Sequence, residues 1–136
     1  MTEWRDGAVA ALLLDGRVLI VGGNSGGGDD TDMASAELFD PKTNTFSATG
    51  SMYQKHGRQA TATLLLDGRV LVVGGADQTG MQISSDAELY DPATGKFSET
   101  GQTTEPAWYH TATRFPDGRV LVITSDDFSQ GAHTQI

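Results

Sequence analysis

The sequence contains no cysteine among its 136 residues. Disulfide bonds, zinc–thiolate sites and a thiol nucleophile are therefore excluded. Long apolar runs are also missing, since the longest covers residues 8–14 and stops at Asp15, whereas a membrane-spanning helix needs roughly 20 apolar residues. Residues 1–6 show neither a basic nor an apolar region, so no signal peptide is predicted there and the compartment stays open.

Basic residues are scarce as well. Nine lysines and arginines face 18 acidic residues, which gives a formal net charge of −9. Such a surface repels phosphate backbones and anionic lipid, so nucleic acid and membranes are not expected as partners. The hydrophobic fraction is only 38%, and the 17 glycines favour many short strands separated by turns.

One segment recurs along the chain. Residues 12–23 return as residues 64–75, and a less faithful copy covers residues 114–123. The aspartates at positions 15, 67 and 117 give spacings of 52 and 50. A second segment, 36–41, returns 51 residues later as 87–92. Two separate segments that share one period indicate an internal repeat.

Each part of the repeat predicts a strand or a turn. Asp-Gly between apolar runs indicates a hairpin, for which a type I′ turn needs positive φ at both central residues. The runs 18–21 and 70–73 are apolar at every position, which predicts strands covered on both faces. The Gly-Gly pairs at 22–23 and 74–75 end these strands, where a missing side chain permits positive φ or a close backbone approach.

A second hairpin follows in each repeat. Asp-Pro at 40–41 and 91–92 starts a turn, and Asn44 and Gly95 share a tolerance of left-handed backbone. Phe46 and Phe97 then open a fourth strand, which we expect to end at Gly50 and Gly101. Each repeat is therefore predicted to form four antiparallel strands, the third and fourth more polar and nearer to solvent.

Such units bury their strands only by stacking on copies of themselves, and radial stacking gives a β-propeller. The Gly-Gly ending, the aromatic residue before Asp-Pro and the aromatic residue of the last strand resemble the kelch repeat. Segments 64–75 and 87–97 are similar to bacterial kelch repeats related to the galactose oxidase propeller. Phe46 and Phe97 depart from the pattern, because kelch repeats usually carry tryptophan there. The resemblance implies an all-β fold of kelch-type propeller blades.

We expect blade 1 at residues 1–50, blade 2 at 51–101 and half of blade 3 at 102–136. In blade 3, Thr124-Ser125 replaces Gly-Gly, and the third and fourth strands are expected to be missing. Closed propellers have about four to eight blades, so the ring is predicted to be incomplete within one chain. Either the chain forms a homo-oligomer in which a neighbour completes the orphan half blade at 111–123, or it is a piece of a longer propeller.

Two groups of residues are candidates for ligand binding. The loop after the first Gly-Gly holds Asn24, Asp29, Asp30 and Asp32, whose oxygens could suit calcium. Its spacing is not that of an EF-hand, and plain solvation of the loop is the alternative interpretation. Blade 2 carries no such set, so a site would be specific to blade 1.

The second group is Trp108, Tyr109 and His110, just before the third blade. The resemblance to galactose oxidase implies copper held by tyrosine and histidine. The tyrosine–cysteine cross-link of that family cannot form here, and the alternative is that His110 packs or hydrogen-bonds where blade 3 begins. His56 and His133 lack the paired spacing of a metal site.

Catalytic motifs are not evident. No G-x-S-x-G element occurs, and the charged residues that stand out are repeated in the blades: Glu37, Glu88, Arg17, Arg69 and Arg119. Repetition indicates blade packing or ion pairs between blades, because a catalytic group is needed once. A rim of arginines for an acidic ligand is the alternative, which the net charge opposes.

The sequence thus predicts a non-enzymatic interaction scaffold without a cofactor, which presents its loops to a protein, peptide or carbohydrate. One alternative is a piece of an extracellular galactose oxidase-like copper enzyme with its catalytic residues elsewhere. Another is a repeat array assembled without an evolved function.

Overall fold

The computed structural model describes residues 1–26, 31–77, 81–125 and 132–135, the last segment and Ser125 by their backbone. Every regular element in these ranges is a β-strand, and the strands form three antiparallel sheets. The described ranges contain no helix long and apolar enough to cross a bilayer.

Blades 1 and 2 have the predicted four strands, paired in chain order. The strands of blade 1 are β1 (Val9–Leu12), β2 (Val18–Val21), β3 (Ala36–Asp40) and β4 (Thr45–Ala48). Those of blade 2 are β5 (Thr61–Leu64), β6 (Val70–Val73), β7 (Asp86–Asp91) and β8 (Lys96–Gln102). The first strands of neighbouring blades lie side by side and form the inner edge of the array.

Blade 3 has one strand more than we expected. It consists of β9 (Thr111–Arg114), β10 (Val120–Ser125) and β11 (Ala132–Gln135), with β10 in the centre. The expectation that the chain lacks the third strand is therefore wrong. Without Gly-Gly, β10 continues through Thr124 to Ser125, and β11 pairs with this extension, with Ser125 opposite Ala132.

The Asp-Gly hairpins differ from the predicted type I′ turn. Positive φ occurs at Gly16, Gly68 and Gly118, but not at the aspartates before them. The amide of Gly16 donates to the carbonyl of Leu13, and the amide of Leu13 donates to the carbonyl of Arg17. This is the longer hairpin in which a turn is followed by one left-handed glycine, so only the glycine needs positive φ.

The second predicted turn agrees with the structure. Asn44 has φ 56° and Gly95 has φ 67°, so both adopt the left-handed backbone that their shared position indicated. The third strand, however, is not near solvent: Ala36, Glu37 and Leu38 of β3 are buried. It lies between two other strands, and the outer strand β4 supplies the exposed edge.

The main core lies between blades 1 and 2. Blade 1 contributes one face of its sheet and blade 2 contributes the opposite face, with the residues Leu19, Val21, Leu38, Val70, Val72, Tyr90 and Phe97. A smaller core between blades 2 and 3 contains Val73, Ala107 and Val122. Strand β6 is thus covered on both faces, as its unbroken apolar run predicts. The same prediction is wrong for β2, where Leu19 and Val21 are buried but Val18 and Ile20 are only half-buried, because no blade packs on that face.

Blade 1 keeps one face free of a neighbouring blade. Phe39 and Phe46 stand where blade 2 has Tyr90 and Phe97, and the rings of each pair are in tilted contact, with centroids 4.8 and 4.9 Å apart. In blade 2 the pair is buried against blade 1, whereas Phe39 and Phe46 are only half-buried.

Candidate binding site at the loop end of the blades

Strands β2 and β6 finish at one end of the blades, which we call the loop end. The chain also enters the blades there, through residues 1–8, 51–60 and 103–110. Short β-bridges join each entering segment to the residues that follow the second strand of the same blade. Asp6 pairs with Asn24, and Arg58 pairs with Ala76. The candidate residues of both groups lie at this end.

The Gly-Gly pairs let each incoming segment approach the preceding blade. The amide of Gly23 donates to the carbonyl of His56 (3.2 Å), and the amide of Gly75 donates to the carbonyl of Ala107 (2.9 Å). A Cβ at Gly22 would lie 2.1 Å from the His56 oxygen, and one at Gly74 would lie 2.4 Å from the Ala107 oxygen. Positive φ and close approach, which were predicted as alternatives, therefore occur together at Gly22 and Gly74.

The described residues of the acidic loop, 24–26 and 31–32, are joined by a buried amide. Asn24 has no exposed surface; its Oδ1 accepts from the amide of Gly26 (2.7 Å), and its Nδ2 donates to Asp32 Oδ1 (3.1 Å). Asp29 and Asp30 lie outside the described residues. Among the residues that are described, no group of histidines and carboxylates has a metal-binding arrangement. A calcium site at Asp29, Asp30 and Asp32 stays a prediction.

The structure separates Tyr109 from His110. Tyr109 is 66% exposed and stacks on Trp108 with ring centroids 4.6 Å apart. His110 is buried, and its Nε2 forms a 2.9 Å hydrogen bond with Thr61 Oγ1 of blade 2. Burial lowers the pKa of His110 below its usual range, although the carbonyls of Val73 and Ala107 oppose this shift. His110 therefore acts as a packing residue between blades.

Tyr109 adopts a backbone conformation that recurs in every blade. Its φ is 48°, and the matching residues of blades 1 and 2, Gly7 and Gln59, have φ of 70° and 63°. Because the conformation repeats, it is a general feature of the backbone where the chain enters each blade, and not a feature specific to Tyr109. In blade 3 it places an exposed tyrosine beside the first strand.

An exposed tryptophan at the loop end escaped the sequence analysis. Trp4 is 72% exposed, and its ring nitrogen lies near Gly26 of the acidic loop. A single tryptophan in the segment that enters blade 1 is not repeated in blade 2, so only the fold shows that it lies at this end. Trp4, Trp108 and Tyr109 are exposed or half-exposed aromatic side chains in the segments that enter at the loop end, and Tyr53 in the segment before blade 2 is exposed as well.

The repeated glutamates hold the incoming segments. Glu37 accepts from the amide and the hydroxyl of Thr2, and Glu88 accepts from the amides of Tyr53 (2.9 Å) and Gln54 (2.8 Å). Each glutamate is buried and lies 35 residues after the first residue that it binds. The structural role inferred from repetition agrees with this geometry.

The sequence analysis did not predict that His56 is buried in a contact with a carboxylate. It is buried; Nδ1 donates to the carbonyl of Gly74 (2.5 Å), and Nε2 lies 3.4 Å from Glu88 Oε1. Burial opposes the ionisation of Glu88, but His56 and the two backbone amides outweigh it and lower the pKa of Glu88 below its usual value. The corresponding residue of blade 1 is Arg5, 51 positions earlier, and that spacing was the available signal.

The three repeated arginines lie in the Asp-Gly hairpins. Each guanidinium pairs with the aspartate two positions before it, in Asp15–Arg17, Asp67–Arg69 and Asp117–Arg119, at 2.7 to 2.9 Å. These contacts lower the pKa of each aspartate. The arginines are neutralised within their own hairpins, which does not favour a rim for acidic ligands.

Comparison with known proteins identifies the repeat. Two family models described as the kelch motif match residues 7–53 and 57–104. The chain belongs to the kelch-repeat β-propeller proteins, and its three described sheets form an open array of blades. The predicted kelch-type propeller fold and the kelch family are thereby confirmed, whereas the predicted bacterial origin stays a prediction.

Similar proteins include Kelch-like protein 21 of cattle and of humans, each 34% identical over 79 residues. The matched segment covers 58% of this chain but only 13% of those proteins. A fungal alcohol oxidase of the AA5 family, solved in complex with copper, superposes with a TM-score of 0.77 at 23% identity. The alignment covers 88% of this chain and 27% of the oxidase, and it shows the shared fold alone.

Proposed function

We propose that the chain is a non-enzymatic scaffold that binds a protein or peptide through the loop end of its blades. Kelch repeats are typical of protein-interaction scaffolds, and the similarity to Kelch-like protein 21 supports this class of function. The observation that carries the proposal is the exposure of Trp4 and Tyr109 at one end of the blades. Large exposed aromatic side chains are frequent anchors of binding surfaces.

The polar groups that could catalyse a reaction already have structural partners. Glu37 and Glu88 bind backbone amides, and His56 lies between Gly74 and Glu88. His110 bonds to Thr61. Groups held in this way stabilise the blades and leave the surface side chains to recognise a ligand.

Selection from a displayed peptide library tests this function. We expect peptides that bind the purified chain with micromolar affinity and that lose affinity when Tyr109 or Trp4 is changed to alanine. Ser47→Ala on the outer strand is the matched control, because Ser47 is exposed away from the aromatic residues. Peptides that bind all variants equally would place the binding surface elsewhere, and a carbohydrate array tests the ligand class left open by the sequence.

The alternative is copper chemistry of the galactose oxidase type. Its support is the Tyr109-His110 pair and the superposition on a copper-containing oxidase. Copper would have to compete for His110 Nε2 with its hydrogen bond to Thr61, and His110 is buried while Tyr109 is exposed. Metal analysis after exposure to copper decides the point: one equivalent of copper that is lost in His110→Ala would favour the oxidase.

For assembly, the face of blade 1 formed by Val18, Ile20, Phe39 and Phe46 is proposed to pack against a second copy of the chain. All four residues are half-buried here, while the matching residues of blade 2 are buried under a kelch blade. A sheet face of this type therefore fits another kelch blade. Strictly monomeric protein would refute this assembly.

A further inference from the structure

The junction between blades 2 and 3 joins two different sheet faces. Blade 2 contributes Leu71 and Val73 of β6, which pack with Val120 and Val122 of β10 in blade 3. Thr61 of β5 lies opposite Val73 and shares its face of the sheet. We call the face with Leu71 and Val73 the leading face of a blade, and the face with Val120 and Val122 the trailing face.

The leading face of blade 3 repeats the leading face of blade 2. Leu121 and Ile123 stand 50 positions after Leu71 and Val73, and Thr111 lies opposite Ile123 just as a threonine lies opposite Val73. Ile123 is 39% exposed, whereas Val73 is 2% exposed beneath blade 3. In the part of the chain that the structure describes, the surface that receives a blade on blade 2 thus occurs a second time without a blade on it.

The trailing face of blade 1 is the matching surface. Val18 and Ile20 of β2 stand 52 positions before Val70 and Val72, which are buried in the core against blade 1. Val18 and Ile20 themselves are only half-buried. The chain therefore presents both halves of a blade junction at once, one on blade 1 and the other on blade 3.

The Asp-Gly hairpins show the same order. A Cβ at Gly68 would lie 3.0 Å from Leu14 of blade 1, and one at Gly118 would lie 3.0 Å from Leu66 of blade 2. Each of these hairpins thus packs beside an apolar side chain of the preceding blade. A Cβ at Gly16 would meet nothing within 4 Å, so the hairpin of blade 1 is open on the side where a preceding blade would lie.

We propose that the leading face of blade 3 binds the trailing face of blade 1 in a second copy of the chain. The inference rests on the proposed assembly and names the surface that the second copy contributes. Two copies of the three described sheets give six blades, within the roughly four to eight of closed propellers. A head-to-tail pair that closes in this way leaves neither face free, so the association stops at two chains.

The new junction differs from the internal ones at the loop end. Thr124 stands at the sequence position of Gly22 and Gly74, where the entering segment of the next blade comes close to the backbone. A residue with a Cβ does not permit that approach. The sheet faces and the hairpins therefore carry the contact, and the entering segment of the second copy packs less closely.

The pairing also brings together aromatic residues that one chain keeps apart. Trp4 enters with blade 1 and Tyr109 enters with blade 3, so that blade 2 lies between them. Entering segments of neighbouring blades touch, as the ion pair of Asp6 with Arg58 shows. In the ring, the segment with Trp4 of the second copy follows the segment with Tyr109, and each aromatic binding surface takes residues from both chains.

Light scattering after size-exclusion chromatography tests the pairing with variants that alter opposite faces. Phe39→Lys changes the trailing face, and Ile123→Asp changes the leading face at an exposed side chain. We expect the parent to have the mass of two chains and each variant alone the mass of one, because a charge would be buried at both junctions. Ser47→Asp, at an exposed position of the outer strand, is the control and should keep the mass of the parent.

An equimolar mixture of Phe39→Lys and Ile123→Asp should regain the mass of two chains. One junction of the mixed pair then has two unaltered faces, and the other brings lysine and aspartate together. This recovery does not depend on the altered faces, so it also excludes loss of the fold as the cause of the lower mass. A mixture that keeps the mass of one chain would overturn the proposal.

Three other results would overturn it as well. They are a parent with the mass of one chain, a parent mass that keeps rising with concentration, and an Ile123→Asp variant that keeps the mass of two chains. If Phe39→Lys alone abolishes the pair, the second copy packs through its own blade 1, and the proposed use of that face stands without the head-to-tail order.

Peptide binding tests the shared surface separately. A peptide that binds the parent through Trp4 and Tyr109 is expected to bind Ile123→Asp at least about tenfold more weakly, because the two anchors no longer meet. The mixture of the two variants should recover the affinity. Equal affinity for the parent and for the single-chain variant would overturn the shared surface and leave the scaffold function in place.

Discussion

Glu88 is a buried carboxylate whose charge is stabilised by its hydrogen-bond partners. Its carboxylate has no exposed surface, yet two backbone amides and His56 surround it. Breaking one partner of a buried pair leaves the other without compensation. The residue therefore fixes the segment that leads into blade 2 as well as its own strand.

Glu88→Gln is expected to lower the free energy of unfolding by about 2–4 kcal/mol at pH 7. The pKa of Glu88 is lower in the folded chain than its usual value of 4.5. The ionised form therefore stabilises the fold fully above about pH 4.5, and this contribution is lost as the pH falls further. Urea unfolding at several pH values should show the difference between parent and variant shrinking in acid. A difference that is constant with pH would mean that the charge of Glu88 is not what stabilises the segment.

A smaller effect is expected for the contact between blades at Tyr90. Its hydroxyl forms a 2.8 Å hydrogen bond with Thr49 Oγ1 of blade 1. Tyr90→Phe should cost about 1 kcal/mol, the usual net value of such a bond. Thr49→Val should cost a similar amount, and the double variant should cost little more than either one. If the two losses in the free energy of unfolding add fully in a double-mutant cycle, the two hydroxyl groups are not coupled.

At the scale of strands, the Gly-Gly endings connect one blade to the next. Gly22 and Gly16 both have positive φ, but only Gly22 faces a neighbouring carbonyl, while a Cβ at Gly16 would have nothing within 4 Å. Substitutions at these two glycines therefore distinguish the energetic cost of positive φ from the cost of the close contact.

Gly22→Ala is expected to destabilise the chain by about 2 kcal/mol or more, because it adds a clash to the cost of positive φ. Gly16→Ala should cost only the strain, about 1 kcal/mol. Thermal unfolding of both variants measures the difference. Equal melting temperatures would show that the incoming segment moves away from the added methyl group without cost.

The strands and turns were largely predictable, because their signals are local. Apolar runs, Gly-Gly and Asp-Pro report on residues that are neighbours in sequence. The roles of His56 and Arg5 were not predictable in the same way, since each residue acts on a strand end about 18 positions away.

At the scale of the whole molecule, the free face of blade 1 is the surface that we propose to pack against a second copy of the chain. Phe39→Asp is expected to reduce self-association, because it places a charge where a second copy would bury the ring. Ser47→Asp adds the same charge at an exposed position of the outer strand and should leave association unchanged. Light scattering after size-exclusion chromatography measures the mass of each protein. If both variants and the parent have the mass of one chain at all concentrations, the second copy is not the occupant of this face.

The regular spacing of the contacts between blades has a consequence for how a propeller gains blades by duplication. Gly22 and the His56 carbonyl that it faces belong to adjacent repeats, as do Gly74 and the Ala107 carbonyl. Duplication of one 51-residue unit therefore copies both sides of the interface, and an added blade finds its partner groups already in place. Thr124 stands at the sequence position of Gly22 and Gly74, so a blade placed after blade 3 would meet a residue with a Cβ at this junction and would need a different contact.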